Sequence, residues 1–152
     1  MKKNGIYLRH LLQSISPFLV ILFLFTWSSE ASGDLIFIAN KSVPEDSVST
    51  KDLKNIFIGK KKKWQDNSTI TIAINNTESI HMELLHKYVR RSPAQFRNIW
   101  KRMVFTGEGK FPKSFSSSEK VIEFVASKTG AIGYIDADQV NDTVKIIKPE
   151  EE

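Results

Sequence analysis

The segment that most constrains the fold is Thr69–Ile74, which alternates threonine with isoleucine before it becomes wholly apolar. Its β-branched content predicts a strand. Before it, Leu53, Ile56 and Phe57 follow helical spacing and form one apolar face, and Gly59 ends that helix. Strands that are separated by helices in this way indicate an α/β domain, with a mixed sheet flanked by helices.

The rest of the chain after residue 33 repeats this alternation. Apolar runs predict further strands at 35–39, 131–135 and 143–147. Capping residues predict helix starts at Ser49 or Thr50, at Asn76 or Thr77, at Ser92, and at Ser117 or Ser118. The segments 40–48 and 105–112 are predicted loops, and the acidic tail 149–152 is expected to fray.

Residues 1–33 have the layout of a secretory signal peptide. Positive residues stand near its start, Leu19–Phe25 is an unbroken apolar run, and small residues follow before Asp34. The alternative is an uncleaved membrane anchor, but the apolar run is well short of the ~20 residues that a spanning helix needs. We therefore expect cleavage before Asp34 and a periplasmic or secreted protein whose single domain covers 34–148.

Composition narrows the function classes. The chain has no cysteine, which excludes thiol catalysis, thiolate metal sites and a lipid anchor on cysteine. Without residues 1–33, the 19 basic and 16 acidic residues that remain give a net charge of about +3. This balance does not indicate a nucleic-acid-binding protein. The remaining length predicts one modest core, without room for two lobes and a cleft between them.

No catalytic or metal-binding pattern stands out in the sequence. His81 and His86 are five residues apart, whereas a spacing of four would place both imidazoles on one face of a helix. No serine stands in a Gly-x-Ser-x-Gly setting. The sequence therefore predicts no enzyme, no metal site and no cofactor.

The polar segment after the Thr69–Ile74 strand is the candidate ligand site. Backbone N–H groups and small hydroxyls at the start of a helix favour an anion. We therefore predict ligand contacts from five residues: Asn75, Asn76, Thr77, Ser79 and His81. Glu78 adds negative charge at the same position, and helix capping alone would also explain these residues, so both interpretations stay open.

Lys60–Lys63 places four positive charges directly before Trp64. A solvated turn at the negative end of a helix dipole would account for these lysines. A docking or anion-steering patch is the alternative interpretation. In either case Trp64 is expected to pack across the turn.

Two segments make the chain similar to a known family. Lys54–Lys60, with Trp64 after it, resembles the helix, Gly-Lys turn and tryptophan of periplasmic phosphate-binding proteins of ABC transporters, and Gly130–Ile135 resembles their Gly-Ala-Ile-Gly-Tyr-Val strand. The resemblance covers most of Leu35–Ile147 and is greatest to short, single-domain members. It implies a single periplasmic-binding-protein-like lobe, phosphate or a related oxyanion as ligand, and an inner-membrane ABC permease or other envelope protein as partner.

In full-length members of that family, phosphate lies between two lobes and contacts an Arg-Ser-Asp-Gly-Ser-Gly-Thr loop after the strand. On this chain the arginine position is Asn75, the second serine is Ser79, and the Gly-Thr pair falls on Ile80 and His81. Only the serine is retained. The loss of arginine removes a forked, charge-assisted contact to the anion.

Two hypotheses follow from the sequence. The first is an exported solute-binding-like protein that contacts a small oxyanion at Asn75–His81 and serves ABC-type transport. The alternative is an exported interaction module that keeps the fold, has lost the anion, and binds a membrane or envelope partner through Lys60–Lys63 and Trp64. Two facing copies could also enclose a ligand, and the sequence leaves the oligomeric state open.

Overall fold

The computed structural model describes residues 34–151. The predicted signal peptide, residues 1–33, lies outside this range and stays a prediction. Among the described residues, no helix is both long enough and apolar enough to cross a membrane.

One six-stranded sheet forms the centre of the domain, in the order β2-β6-β1-β5-β3-β4. The strands are β1 (Leu35–Ala39), β2 (Ser47–Ser49), β3 (Thr71–Asn75), β4 (Lys113–Phe115), β5 (Ala131–Asp136) and β6 (Lys145–Glu150). Strands β3, β4 and β5 run parallel, and β1 is antiparallel to both β5 and β6. The predicted mixed sheet with flanking helices is therefore confirmed.

In the described part of the chain, four α-helices cover the sheet: α1 (Thr50–Phe57), α2 (Glu78–Glu83), α3 (Pro93–Phe105) and α4 (Ser118–Ser127). α2 continues as a π-helical segment, Leu84–Val89, and a short 3₁₀ turn spans Ala137–Gln139. The side chains of Ser49 and Ser117 accept capping hydrogen bonds from backbone N–H groups in the first turns of α1 and α4. Ser92 and Gln95 form a reciprocal capping box at the start of α3, so three of the predicted helix starts have a physical cause.

The sheet separates two apolar clusters because side chains alternate along its strands. On one side Phe37 lies in a cluster with residues of α1, the π-helical segment and α3, including Phe57, Leu84 and Trp100. On the other side Ile38 packs with α4 residues such as Val121 and Val125. Gly133 lets α4 approach closely, since a Cβ atom there would stand 2.7 Å from Val121 Cγ1. A glycine within an apolar strand is typical of such a close approach.

Trp64 is a core residue and not a surface anchor. Its side chain is buried, and its indole N–H donates to the Gly130 carbonyl at 2.9 Å. This contact joins the turn after α1 to the start of β5. The expectation that Trp64 packs across the turn is confirmed, and its use in binding a partner is wrong because the indole is covered.

Two short strands and one strand end differ from the prediction. β2 lies in the predicted loop 40–48 and β4 follows the predicted loop 105–112, because three-residue strands carry too little periodicity to detect. β6 continues through Pro149 and Glu150, which pair in parallel with Val48 and Ser49. The predicted frayed tail therefore begins two residues too early. The partner strand β2, which is distant in sequence, fixes this end.

Candidate anion site at the carboxyl ends of the parallel strands

The carboxyl ends of β3, β4 and β5 meet at one edge of the domain. The Asn76 N–H donates to the Phe115 carbonyl at 2.8 Å, which joins the exits of β3 and β4. The Asn75 side-chain amide donates to Ser118 Oγ at 3.0 Å, and the Asp136 N–H reaches the same oxygen at 3.3 Å. The first turn of α4 is thereby tied to the ends of two strands. The helices α2 and α4 both start here. In α/β proteins, ligands bind where the carboxyl ends of strands lie beside the N-termini of helices.

Asn75 has a structural position within this edge. Its side chain is fully buried, and its Oδ1 accepts from the Thr77 N–H at 3.0 Å while its amide nitrogen donates to Ser118. This turn directs the chain from β3 into α2. Both polar ends of the side chain are engaged inside the protein, so Asn75 shapes the loop, and its predicted ligand contact stays a prediction.

Asn76, Thr77 and Ser79 are exposed at the start of α2. Thr77 is the N-cap residue, yet its side chain makes no capping hydrogen bond. Asn75 supplies the local hydrogen bond to the Thr77 backbone instead. Helix capping by Asn76 or Thr77 side chains therefore does not account for the polar residues of this segment, and their donors face solvent.

His81 lies beneath the exposed residues and is part of a buried relay. Its Nδ1 is 2.7 Å from the Tyr134 hydroxyl, which donates to the Asn75 carbonyl at 3.0 Å. Since the hydroxyl has one proton and directs it to Asn75, Nδ1 acts as the donor to the hydroxyl and Nε2 carries the free lone pair. The Phe96 ring stands edge-on to the imidazole at 5.7 Å. Partial burial lowers the pKa of His81, and burial raises the pKa of Tyr134.

Acidic residues surround this edge of the sheet. Glu78 lies in the first turn of α2 and Glu119 in the first turn of α4. Asp136 ends β5, and its side chain accepts from the Asp138 N–H at 3.4 Å. Desolvation, and then the neighbouring Asp136 carboxylate, raise the pKa of Asp138. An anion at this edge meets helix N-termini that attract it and carboxylates that repel it.

Ser118 and Tyr134 were not among the predicted site residues. Ser118 appeared only as a possible cap and Tyr134 only as part of a buried strand. Ser118 stands 43 positions from Asn75 and Tyr134 stands 53 positions from His81, so no local pattern connects either pair. Within residues 34–151, no group of three or more His, Asp or Glu side chains is arranged to hold a metal ion.

Residues 30–148 match the family model for the PBP superfamily domain. The chain belongs to the PBP superfamily. The match covers most of the sequence and all of the sheet except the last residues of β6. The predicted periplasmic-binding-protein-like lobe is therefore confirmed at the level of family and fold, and this family comprises substrate-binding proteins of transport systems.

Several solved structures share the fold of this chain. An ABC-type phosphate transport receptor from Vibrio cholerae superposes with a TM-score of 0.60 at 16% identity, over 77% of this chain and 46% of the receptor. A substrate-binding protein from Clostridium perfringens, crystallised with bound phosphate, gives 0.61 at 18% identity, over 77% and 45%. PstS from Borrelia burgdorferi gives 0.59 at 15% identity, over 78% and 47%.

The chain spans less than half the length of each of these proteins. At such identities the likeness establishes the fold and not the ligand. The PBP superfamily domain described here corresponds to one part of each larger receptor.

Proposed function

We propose that this PBP superfamily protein is an exported solute-binding-like protein that contacts a small oxyanion, phosphate in the first instance, at the start of α2. The observation that supports this most is the convergence of three parallel strand ends with the N-termini of α2 and α4, in the fold of phosphate receptors. An ABC-type permease in the inner membrane would be its partner in transport.

The proposed contacts are the exposed side chains of Asn76, Thr77 and Ser79 with the backbone N–H groups of the first helical turn. Those N–H groups have no acceptor within the helix and point toward the ligand position. His81 would contribute through its Nε2 lone pair, which can accept a hydrogen bond from a protonated oxygen of phosphate but cannot donate to the anion. Asn75 positions this loop from below.

Glu78 sets the strength of the proposed site. Its carboxylate stands in the same turn as Ser79 and opposes a bound anion. No arginine supplies the forked contact that binds phosphate tightly in full-length relatives. We therefore expect weak affinity, and Glu78→Gln should tighten it by about threefold to tenfold because that substitution removes one nearby negative charge.

Calorimetric titration of the exported protein with phosphate at low salt, with sulfate as the comparison anion, tests the proposal. We expect saturable heat with phosphate. The double variant Asn76→Ala, Ser79→Ala should weaken binding by about tenfold or more, since each lost hydrogen bond at an exposed site contributes roughly 0.5–1.5 kcal/mol.

Asn98→Ala is the matched control, because Asn98 is exposed on α3 and away from the loop. It should bind phosphate like the unmodified protein. A folded sample that gives no heat with either anion would overturn the proposal. If the double variant still binds phosphate with unchanged affinity, the site does not lie at the start of α2.

A further inference from the structure

Two phenylalanine side chains are strongly exposed at the ends of one loop. Phe105, the last residue of α3, is 92% exposed, and Phe111 is 54% exposed. The loop between them contains Gly107 in the left-handed region, with φ +73°, and Gly109. A ring as exposed as that of Phe105 contributes little to the core, and two exposed phenylalanines at the ends of one loop indicate a binding surface.

Basic residues surround this loop on a surface that we call the lysine face: Lys60–Lys63, Lys101, Arg102, Lys110 and Lys113. Phe111 lines an apolar groove of about 380 Å³ whose rim includes Lys61, Lys62, Lys110 and Lys113. A neighbouring groove of about 290 Å³ adds Lys60 and Arg102 and shares Lys62 with the first. Lys101 and Arg102 precede Phe105 by four and three residues, which places all three on one side of α3.

The lysine face holds more than the whole net positive charge of residues 34–152. It has eight basic residues, against the acidic residues Asp52, Asp66 and Glu108, so its balance is about +5. The other 11 basic and 13 acidic residues of this range give about −2. Lys61 is paired with Asp52 at 2.5 Å. Lys62 donates to the main-chain carbonyl of Glu108 at 2.6 Å and not to its side-chain carboxylate.

The lysine face lies at the amino ends of the parallel strands. Its grooves are lined by Thr69–Ile72 at the start of β3 and by the residues that lead into β4. The proposed anion site lies at the opposite, carboxyl ends of the same strands. The two features therefore cannot be parts of one ligand site.

We propose that the lysine face binds the surface of an anionic phospholipid bilayer, with Phe105 and Phe111 inserted among the headgroups. Protruding rings with cations around them are the pattern by which peripheral proteins bind membranes. A broad surface of one charge matches a uniformly anionic plane, and each lysine or arginine near such a plane strengthens binding severalfold. A protein partner would instead have to supply an apolar pocket for a ring that is almost wholly exposed.

Co-sedimentation with vesicles tests this inference. The exported protein, with its N-terminus verified by mass spectrometry, is mixed with vesicles of equal parts phosphatidylglycerol and phosphatidylcholine, and with pure phosphatidylcholine vesicles. We expect binding to the anionic vesicles only, reduced by added salt. The variant Phe105→Ser, Phe111→Ser should reduce the partition coefficient by about tenfold or more, because the rings lose their apolar contact.

Charge variants separate a specific surface from general attraction. Lys60→Glu, Lys62→Glu should reduce partitioning by about tenfold or more. The matched control Lys51→Glu, Lys54→Glu makes the same change of net charge on α1, beside a different groove, and should retain most of the binding. All these side chains are at least partly exposed, so circular dichroism should show every variant folded.

Three results would overturn the proposal. The first is no excess binding to anionic vesicles. The second is an equal loss of vesicle binding in the Lys51→Glu, Lys54→Glu control. That loss would show that binding depends on net charge and not on the lysine face. The third is a dimer that the phenylalanine variant converts to monomer while vesicle binding stays unchanged, which would make the loop an interface between two copies.

Discussion

At the scale of single residues, His81 connects the proposed anion site to the core. Its Nδ1 bonds the Tyr134 hydroxyl, and that hydroxyl holds the carbonyl of Asn75 at the end of β3. An imidazole in this position is costly to charge because it is partly buried and has no acidic partner within the relay. The site residue that titrates nearest to neutral pH is therefore also a structural residue.

The stability of the protein should depend on pH through His81. Its pKa in the folded state is lowered from the usual 6.5, so the unfolded chain binds the proton more readily. The stabilisation by neutral His81 is complete above pH 6.5 and is lost as the pH falls through the folded pKa. Urea unfolding at a series of pH values should show the free energy of unfolding declining below 6.5.

Two variants show whether His81 is responsible. His81→Gln removes the titrating group and should flatten this part of the profile. His86→Gln changes an exposed histidine five residues later and should leave the profile as it is. If the slope persists in His81→Gln, another group carries it.

At the scale of elements, the shortest strands join parts of the chain that are far apart in sequence. β2 pairs with β6 through Val48 and Pro149, and the Ser47 hydroxyl donates to the Glu150 carboxylate. β2 also leads directly into α1, whose N-cap is Ser49. The end of β6 therefore supports the start of the first helix.

Truncation after Lys148 should destabilise this corner of the domain. It removes Pro149 and Glu150, two of the three positions that pair with β2. We expect a loss of about 1–3 kcal/mol in the free energy of unfolding, because hydrogen-bonding groups of β2 lose their partners. Amide hydrogen exchange should quicken at Ser47–Ser49 and in the first turn of α1.

Truncation after Glu150 is the control, because it leaves every β2–β6 pair in place. That variant should exchange and unfold like the intact chain. If both truncations behave alike, the pairing of Pro149 and Glu150 contributes nothing and the tail is free, as its sequence alone suggested.

At the scale of the whole molecule, the two ends of the sheet differ in charge. The carboxyl ends of the parallel strands have Glu78, Glu119, Asp136 and Asp138 near the helix starts, whereas the amino ends have the lysine face. The distribution would let the protein attach at one end and leave the other end free. The two proposals concern opposite ends of the sheet, so each can fail alone.

The two proposed sites should respond independently to substitution. The Phe105→Ser, Phe111→Ser variant should keep the phosphate affinity of the unmodified protein. Asn76→Ala, Ser79→Ala should keep its partitioning onto anionic vesicles. The two assays applied to both variants give this comparison directly. Loss of both activities in either variant would indicate a disturbed fold or a single shared site.

Much of this architecture follows from local sequence. β-branched runs specify β1, β3 and β5, and serine caps with apolar periodicity specify α1, α3 and α4. The glycine within the apolar run of β5, Gly133, likewise indicates the close packing of helix on sheet that the fold contains. These features are predictable because they depend on residues within a few positions of one another, where propensity and hydrophobic spacing decide the conformation.

Tertiary structure alone decided the rest. The sequence predicts Asn75 as a ligand contact, but only the fold brings its side chain to Ser118, 43 positions away. The strands β2 and β4 exist because partner strands satisfy them, and the exposure of Phe105 beside lysines from another segment depends on packing. Local sequence determines which helices and strands form, because propensity and hydrophobic spacing act between neighbouring residues. The contacts between polar groups join residues that are far apart in sequence. No single segment of the chain specifies such contacts.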